Sequence, residues 1–378
     1  MTSMISSLPR ELIEEIISRV PLRSMKAVRL TCKSFNNLSN SESFTKMHID
    51  KAATREEKTM MISMMPHNLY LMSVTVDDVD PCVELKGQLS LLDNQVSIYR
   101  VFHYEGLLLC IFEDPTRVVV LNPYLRQSRW IQIRFSHLSI GWDCFRYALG
   151  YADKESCRSV KFLRFLDSSS RCEYEIYDFD SSLWTTLDVT PHWWISCSSY
   201  GVSLKGNTYW PAKRRSRGVF DHIICFDFTR ESFGPLLPLP FGATDRGYPY
   251  VTLSCVKEEK LAVLFQQYYS NCKCEYEIDI WITTKIEAEM VSWSKFLRMN
   301  TKPNIYPIIF LIDEEKKIFM SLDSEFPKTF LNTIGEAKLR KLDLRVSEGQ
   351  YCQPPVCSYV PSLVQIKKPT LRQKDETK

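Results

Sequence analysis

"YEIYDFDSSLWTTL", Tyr174 to Leu187, is the stretch on which the fold turns. It gives an apolar run, a polar break at Asp180, Ser181 and Ser182, and then Trp184 at the head of a second run. Residues that suit a half-buried pleated surface on both sides of a short turn-forming break read as a hairpin.

The same order recurs in "VVVLNPYLRQSRWIQI" (Val118 to Ile133), "IICFDFTRESFGPL" (Ile223 to Leu236) and "EIDIWITTKIEAEMVSWSKF" (Glu277 to Phe296). The aromatics after the turns, Trp130, Trp184, Phe233 and Trp293, return about every fifty residues, close to the kelch-type period of β-propeller blades. In such a blade the aromatic is expected to enter the core between neighbouring blades. The alternative is a set of ordinary hairpins in a large sandwich.

Working outward, "LYLMSVTV" (Leu69 to Val76), "LLLCIF" (Leu107 to Phe112), "VKFLRF" (Val160 to Phe165) and "LAVLF" (Leu261 to Phe265) add further strand-like runs, broken by Gly, Pro, Asn and Asp. No long helical pattern is interleaved with them, which argues against a parallel α/β sheet. The N-terminus differs. Leu8, Leu12, Ile13, Ile16, Ile17 and Val20 recur at the three-and-four spacing of one helix face, opposite Arg10, Glu11, Glu14, Glu15, Ser18 and Arg19. Pro9 suits the first helical position, Glu11 complements the helix dipole, and Pro21 stops the helix. A second helical stretch with Met25, Val28 and Leu30 and a third around Phe35 and Leu38 are expected to complete a module too small to be stable without a partner. The expected fold is therefore α+β and multidomain: a three-helix module over residues 1–49, a charged linker over 50–62, a large all-β, propeller-like domain over 63–366 and a basic tail over 367–378.

Composition bounds the function. Charged residues make up 25% of the 378, and the net charge of +3 gives no field that points to nucleic acid or a membrane surface. No apolar run approaches the roughly 20 residues that cross a bilayer, and the opening residues reach Arg10 and Glu11 without a signal-like core, so a cytoplasmic or nuclear protein is expected. Thirteen scattered cysteines without C-x-x-C spacing fit reduced thiols better than a disulfide framework.

Catalytic signatures are missing: the chain has no G-x-S-x-G, H-E-x-x-H, Walker-type or G-x-G-x-x-G stretch. Its six histidines are far apart, and Cys272 with Cys274 gives two ligands where a tetrahedral site needs four. No catalytic residue, metal or cofactor is expected. Two stretches suit recognition instead. "TPHWWISCSSYG" sets Trp193 beside Trp194, which in a strand face opposite ways, and "AKRRSR" (Ala212 to Arg217) is the sharpest basic cluster, able to meet carboxylate or phosphate through Arg214 and Arg215. Core burial of both tryptophans and a solvated basic hairpin loop are the competing readings.

"LPRELIEEIISRVPLRSMKAVRLTCKSFNNL" closely resembles the F-box, with its Leu-Pro start, acidic helix, "VPLRS" turn and "VRLTCKSF" segment. The remainder resembles the plant F-box-associated interaction domain of kelch-related type, through "NPYLRQSRWI", "YALGY", "YEIYDFDSSLW", "GVSLKGNTYW", "IICFDFTRESFGPLLPLP" and "YVPSLVQI" in that order. Family members often carry Trp in the "CKSF" segment, where this chain has Phe35. The resemblance implies a non-catalytic adaptor: the F-box docks on a Skp-type protein and through it on cullin and RING subunits, and the β domain holds a protein substrate for ubiquitination. Carried over by position, it implies adaptor contacts at Leu8, Pro9, Leu12, Ile13, Ile16, Leu22 and Val28; the competing reading is that some of the module's apolar residues, Ile17, Val20 and Leu30 first among them, pack only within it. A different class of reading makes the β domain a glycan or small-molecule sensor whose ligase link is secondary or absent.

Overall fold

The computed structural model describes residues 8–20, 28, 31–39, 44, 47, 59–65, 68–76, 81–89, 98–114, 116–134, 145–154, 157–167, 172–196, 199–216, 219–241, 250–257, 259–268, 276–287, 289–301, 310–325, 328–335, 338–343, 356–361 and 365–366. Among them are two helices, α1 (Arg10–Ser18) and α2 (Lys33–Ser39), where three were expected; Val28 is helical, but most of the middle stretch, with Leu22, Met25 and Leu30, lies outside the described residues.

The other regular elements among the described residues are strands in antiparallel sheets. Among the described residues there are six sheets, taken in chain order as blades 1 to 6. Blade 2 (Ile98–Tyr104, Leu107–Phe112, Arg117–Asn122, Gln127–Gln132) and blade 3 (Phe145–Lys154, Cys157–Asp167, Cys172–Asp178, Leu183–Leu187) are plain four-stranded meanders. So are blade 5 (Tyr250–Val256, Lys260–Tyr268, Tyr276–Ile286, Val291–Thr301) and blade 6 (Phe310–Asp313, Ile318–Glu325, Lys328–Gly335, Lys338–Asp343).

Blade 4 is irregular: its long strand Asn207–Arg214 pairs first with Val202–Leu204 and then with the two-residue strand Trp193–Trp194. Blade 1 unites both ends of the domain. Its strands Thr59–Met65, Asn68–Val76 and Pro81–Gln88 are joined by Val356–Ser358, with Ile62 opposite Cys357. Thr59 lies inside the stretch expected as a linker; Met61 and Ile62 are buried there, so the apolar run is drawn into the sheet.

Six apolar clusters account for the ring, one between each pair of neighbouring blades. Ile62, Leu69, Leu108 and Val119 join blades 1 and 2; Leu109, Ile131, Leu149 and Phe162 join blades 2 and 3; Phe165, Ile176, Trp210 and Phe226 join blades 3 and 4. Tyr209, Ile223, Leu253 and Val263 join blades 4 and 5, and Leu264, Ile280, Phe310 and Phe319 join blades 5 and 6. The sixth cluster, with Met61 and Val74 of blade 1 against Leu311, Met320 and Leu331 of blade 6, completes the circuit. This is a six-bladed propeller-like domain, and strands buried on both faces explain why its sequence reads as near-continuous apolar runs rather than clean alternation.

The aromatics after the turns divide. Trp184 of blade 3 packs on Phe162 and donates its indole N–H to the Gln132 carbonyl of blade 2 at 3.1 Å. Phe233 of blade 4 meets Tyr174 of blade 3 at 5.6 Å, and Trp293 of blade 5 donates to the Pro238 carbonyl of blade 4 at 3.0 Å. Trp130 departs from the expectation. It is 41% exposed, stacked at 5.2 Å on Phe112, whose own ring fills the place next to the core, and covered by the Arg117 guanidinium at 4.7 Å.

Candidate functional site

α1 begins where Pro9 supplies the carbonyl that accepts from the N–H groups of Leu12 and Ile13, both at 3.1 Å; the helix proper starts one residue later than expected, with Pro9 at its cap. Two ion pairs four residues apart, Arg10–Glu14 at 2.8 Å and Arg19–Glu15 at 2.9 Å, line its polar side. Such exposed pairs contribute only about 0.3–0.5 kcal/mol each, so the helix is held mainly by its apolar side.

That apolar side splits into two stripes. Ile13 and Ile17, 9% and 3% exposed, pack with Phe35, Leu38 and Phe44 into a small core. Leu12 and Ile16 sit four residues apart on the adjoining stripe and remain 51% and 45% exposed, and Leu8, ahead of the Pro9 cap, is 37% exposed. Of the adaptor-side residues implied by the resemblance, Leu8, Pro9, Leu12 and Ile16 are exposed, and Leu12 and Ile16 share one face of α1. Ile13 lies beneath it, Val28 packs partly buried against the core, and Leu22 is outside the described residues. Ile17 and Val20 pack inside the module.

The other candidate residues gather on blade 4. Trp193 pairs with Arg214 and Trp194 with Lys213, so residues directly opposite share a side of the sheet. Trp193 is 3% exposed and wedged against Phe233 at 4.6 Å and Tyr174 at 6.4 Å. Trp194 faces the other way and is half-buried, with the Lys213 ammonium 4.3 Å from its ring centroid and Phe220 at 6.0 Å. Arg214 is exposed. Arg215, by contrast, is tied down: its amide donates to the His192 carbonyl at 3.1 Å, its Nε to the Pro191 carbonyl at 3.0 Å, and its guanidinium pairs with the buried Asp167 of blade 3.

Buried ionisable groups serve the scaffold. Arg129, 4% exposed, spans from blade 2 to the Phe179 carbonyl and the Tyr177 hydroxyl of blade 3, at 2.6 and 2.9 Å. Burial pushes the Tyr104, Tyr174 and Tyr209 hydroxyls above their ordinary range and the Cys225 thiol up to about 12, so none is poised as a base or nucleophile near neutrality. His103 of blade 2 accepts from the Gly106 amide at 2.7 Å through Nε2, bonds the Val360 backbone and meets the Tyr359 ring edge-on at 5.8 Å. Desolvation is the larger influence and holds its pKa down to about 4, so it stays neutral and fastens the segment that follows the ring-closing strand. Nothing in the local sequence around His103 points to this role, because its partner lies at the far end of the chain.

Among the described residues no group of three or more His, Cys, Asp or Glu side chains is placed to hold a metal ion. Of the histidines, only His103, His192 and His222 are described, and Cys272 and Cys274 lie outside the described residues. No helix among the described residues is long and apolar enough to cross a membrane.

Comparison with known proteins covers nearly the whole chain. Residues 5–47 match the F-box domain and residues 60–366 the F-box associated beta propeller domain. An F-box protein of Arabidopsis thaliana is 70% identical over 100% of this chain and 100% of its own length. An F-box/kelch-repeat protein of the same plant is 54% identical over 97% of this chain and 90% of its own. A third Arabidopsis relative, named Peroxiredoxin-2A, is 51% identical over 97% of this chain but only 69% of its own length.

Proposed function

We propose, from the premise that this chain belongs to the family of F-box proteins carrying an F-box associated beta propeller domain, that it is the non-catalytic substrate-recognition subunit of a Skp-cullin-F-box ubiquitin ligase. α1 docks on the Skp-type adaptor, which brings the cullin and RING subunits, and the propeller captures a protein substrate. The observation that carries the reading is that Leu12 and Ile16 of α1, with Leu8 ahead of its cap, stay exposed while Ile13 and Ile17 of the same helix fill the module's core. A stripe that the module does not need for its own packing is available to a partner.

Covering three aliphatic side chains that are already about half-buried is worth roughly 1 kcal/mol each. That gross gain of about 3 kcal/mol must be joined by contacts from the rest of the module, since association itself costs at least about 4 kcal/mol. The adaptor surface therefore needs contacts beyond α1, for which the F-box resemblance implies Pro9, Leu22 and Val28. Co-expression with a plant Skp-type adaptor and a cullin tests the reading: the chain is expected to recover the cullin only when the adaptor is present. A well-folded chain that elutes alone with both proteins supplied refutes it.

A further inference from the structure

We infer that the propeller ring is fastened by a clasp, residues 359–366, which holds the closing strand Val356–Ser358 in blade 1. The need for one follows from the strand itself. Val356–Ser358 is three residues long, against ten for the first strand of blade 3, Phe145–Lys154. The equally short Val202–Leu204 of blade 4 is joined to its neighbour Asn207–Arg214 by the tight turn at Lys205 and Gly206, so the covalent chain keeps those two in register. Val356–Ser358 has no such turn. Its partner Thr59–Met65 lies almost three hundred residues away, and chain connectivity does little to return the strand once its few ladder bonds break.

The chain after Ser358 supplies what the strand lacks. Pro361 has no N–H to extend the ladder, so the segment leaves the sheet; it is described at 359–361 and 365–366. Tyr359 is buried in the apolar cluster between blades 1 and 2 and meets the His103 ring edge-on at 5.8 Å, and the Val360 backbone is bonded to His103. His103 stands near the end of Ile98–Tyr104, the first strand of blade 2. At the other end of the segment Ile366 is buried in the cluster between blades 2 and 3, and its amide donates to Gln127 Oε1 at 2.7 Å. Gln127 opens the last strand of blade 2. The two ends therefore grip opposite sides of blade 2, one at its first strand and one at its last. Thr59–Met65, the strand so secured, is the first that follows the F-box module in the chain, so release of the clasp loosens the point at which the chain enters the ring.

Native-state hydrogen exchange of the full chain, read by mass spectrometry, tests the inference. Ile366→Ala is expected to speed exchange in Thr59–Met65 at least about tenfold, although Ile366 itself packs between blades 2 and 3, while the strands of blade 5 keep their wild-type rates. Gln127→Ala removes the bond to the Ile366 amide and leaves both apolar clusters filled. It is expected to give the same pattern at about threefold, and it serves if Ile366→Ala does not fold. A Ser63→Cys, Val356→Cys pair, at positions opposite each other across the two strands, can be oxidised to a disulfide that ties the closing strand to blade 1 directly. In the Ile366→Ala protein that cross-link should return Thr59–Met65 to the wild-type rate. Unchanged exchange in Thr59–Met65 overturns the inference. So does acceleration confined to blades 2 and 3, or acceleration that the cross-link does not reverse, since either makes Ile366 a local core residue and not part of a clasp.

Discussion

Acid should loosen the propeller ring through His103. The imidazole accepts the Gly106 N–H and bonds the Val360 backbone, so protonation both places a charge in a desolvated site and removes the acceptor that Gly106 uses. Its folded pKa is about 4 against 6.5 for the free side chain. The folded value is depressed, so the stabilisation is fully present above about pH 6.5 and is lost as pH falls toward 4. The whole gap corresponds to at most about 3 kcal/mol, because one unit is worth about 1.4 kcal/mol. His103 keeps part of its surface accessible, which makes that figure an upper bound. Between pH 7.5 and 5.0 the expected loss is about 2 kcal/mol, or roughly 0.7 M in the urea midpoint for a slope near 3 kcal/mol/M. Urea unfolding followed by tryptophan fluorescence at both pH values, for wild type and His103→Gln, isolates the contribution, since glutamine can keep both hydrogen bonds but does not titrate. Equal acid losses in the two proteins would refute the reasoning.

Other expectations follow from the same packing. Trp184→Ala, which removes a ring between blades 2 and 3, should lower stability by about 2–4 kcal/mol, whereas Trp130→Ala should cost under about 1 kcal/mol because that ring is outside the core; thermal melts of the two variants give the contrast. At Gly150 an added Cβ would stand 2.2 Å from the Phe228 ring and 2.4 Å from the Gly206 carbonyl oxygen, so Gly150→Ala should destabilise by more than about 2 kcal/mol in a denaturant titration. Ile17→Ala should cost about 2–4 kcal/mol of F-box stability, and Leu12→Ala under about 1 kcal/mol; protease resistance of the N-terminal module reads the difference.

Much of the fold was legible because the signals are local. The run Leu107 to Phe112 is a strand over those same residues, and Tyr174 to Leu187 forms the hairpin its polar break implied, with Tyr177 opposite Trp184. The fifty-residue return of an aromatic pointed to blades because Trp184, Phe233 and Trp293 each meet the preceding blade. Trp130 shows the limit: its exposure depends on Phe112, in another strand, having taken the space first. Ring closure was hidden for a similar reason. Val356–Ser358 is too short to announce itself, and its partner Thr59–Met65 lies almost three hundred residues away, so neither the blade number nor the true start of the β domain follows from local pattern.

At the candidate sites the helical spacing identified α1, and the family resemblance carried over by position set Ile13 among the adaptor contacts; with consecutive positions turned by about 100°, only the module's other helices decide which of the two stripes is covered. Adjacent tryptophans were expected to diverge, and Trp193 and Trp194 do. That Arg215 is tied down as an anchor depends on Asp167, forty-eight residues earlier and in another blade.

The central claim, that the exposed stripe of α1 is an adaptor surface, is tested most directly by titrating a purified Skp-type adaptor into the full chain. Wild type should bind, and the Leu12→Asp, Ile16→Asp variant should bind at least about a hundredfold more weakly, because two unpaired carboxylates would be buried against an apolar groove. A folded variant that binds the adaptor as tightly as wild type would contradict the account.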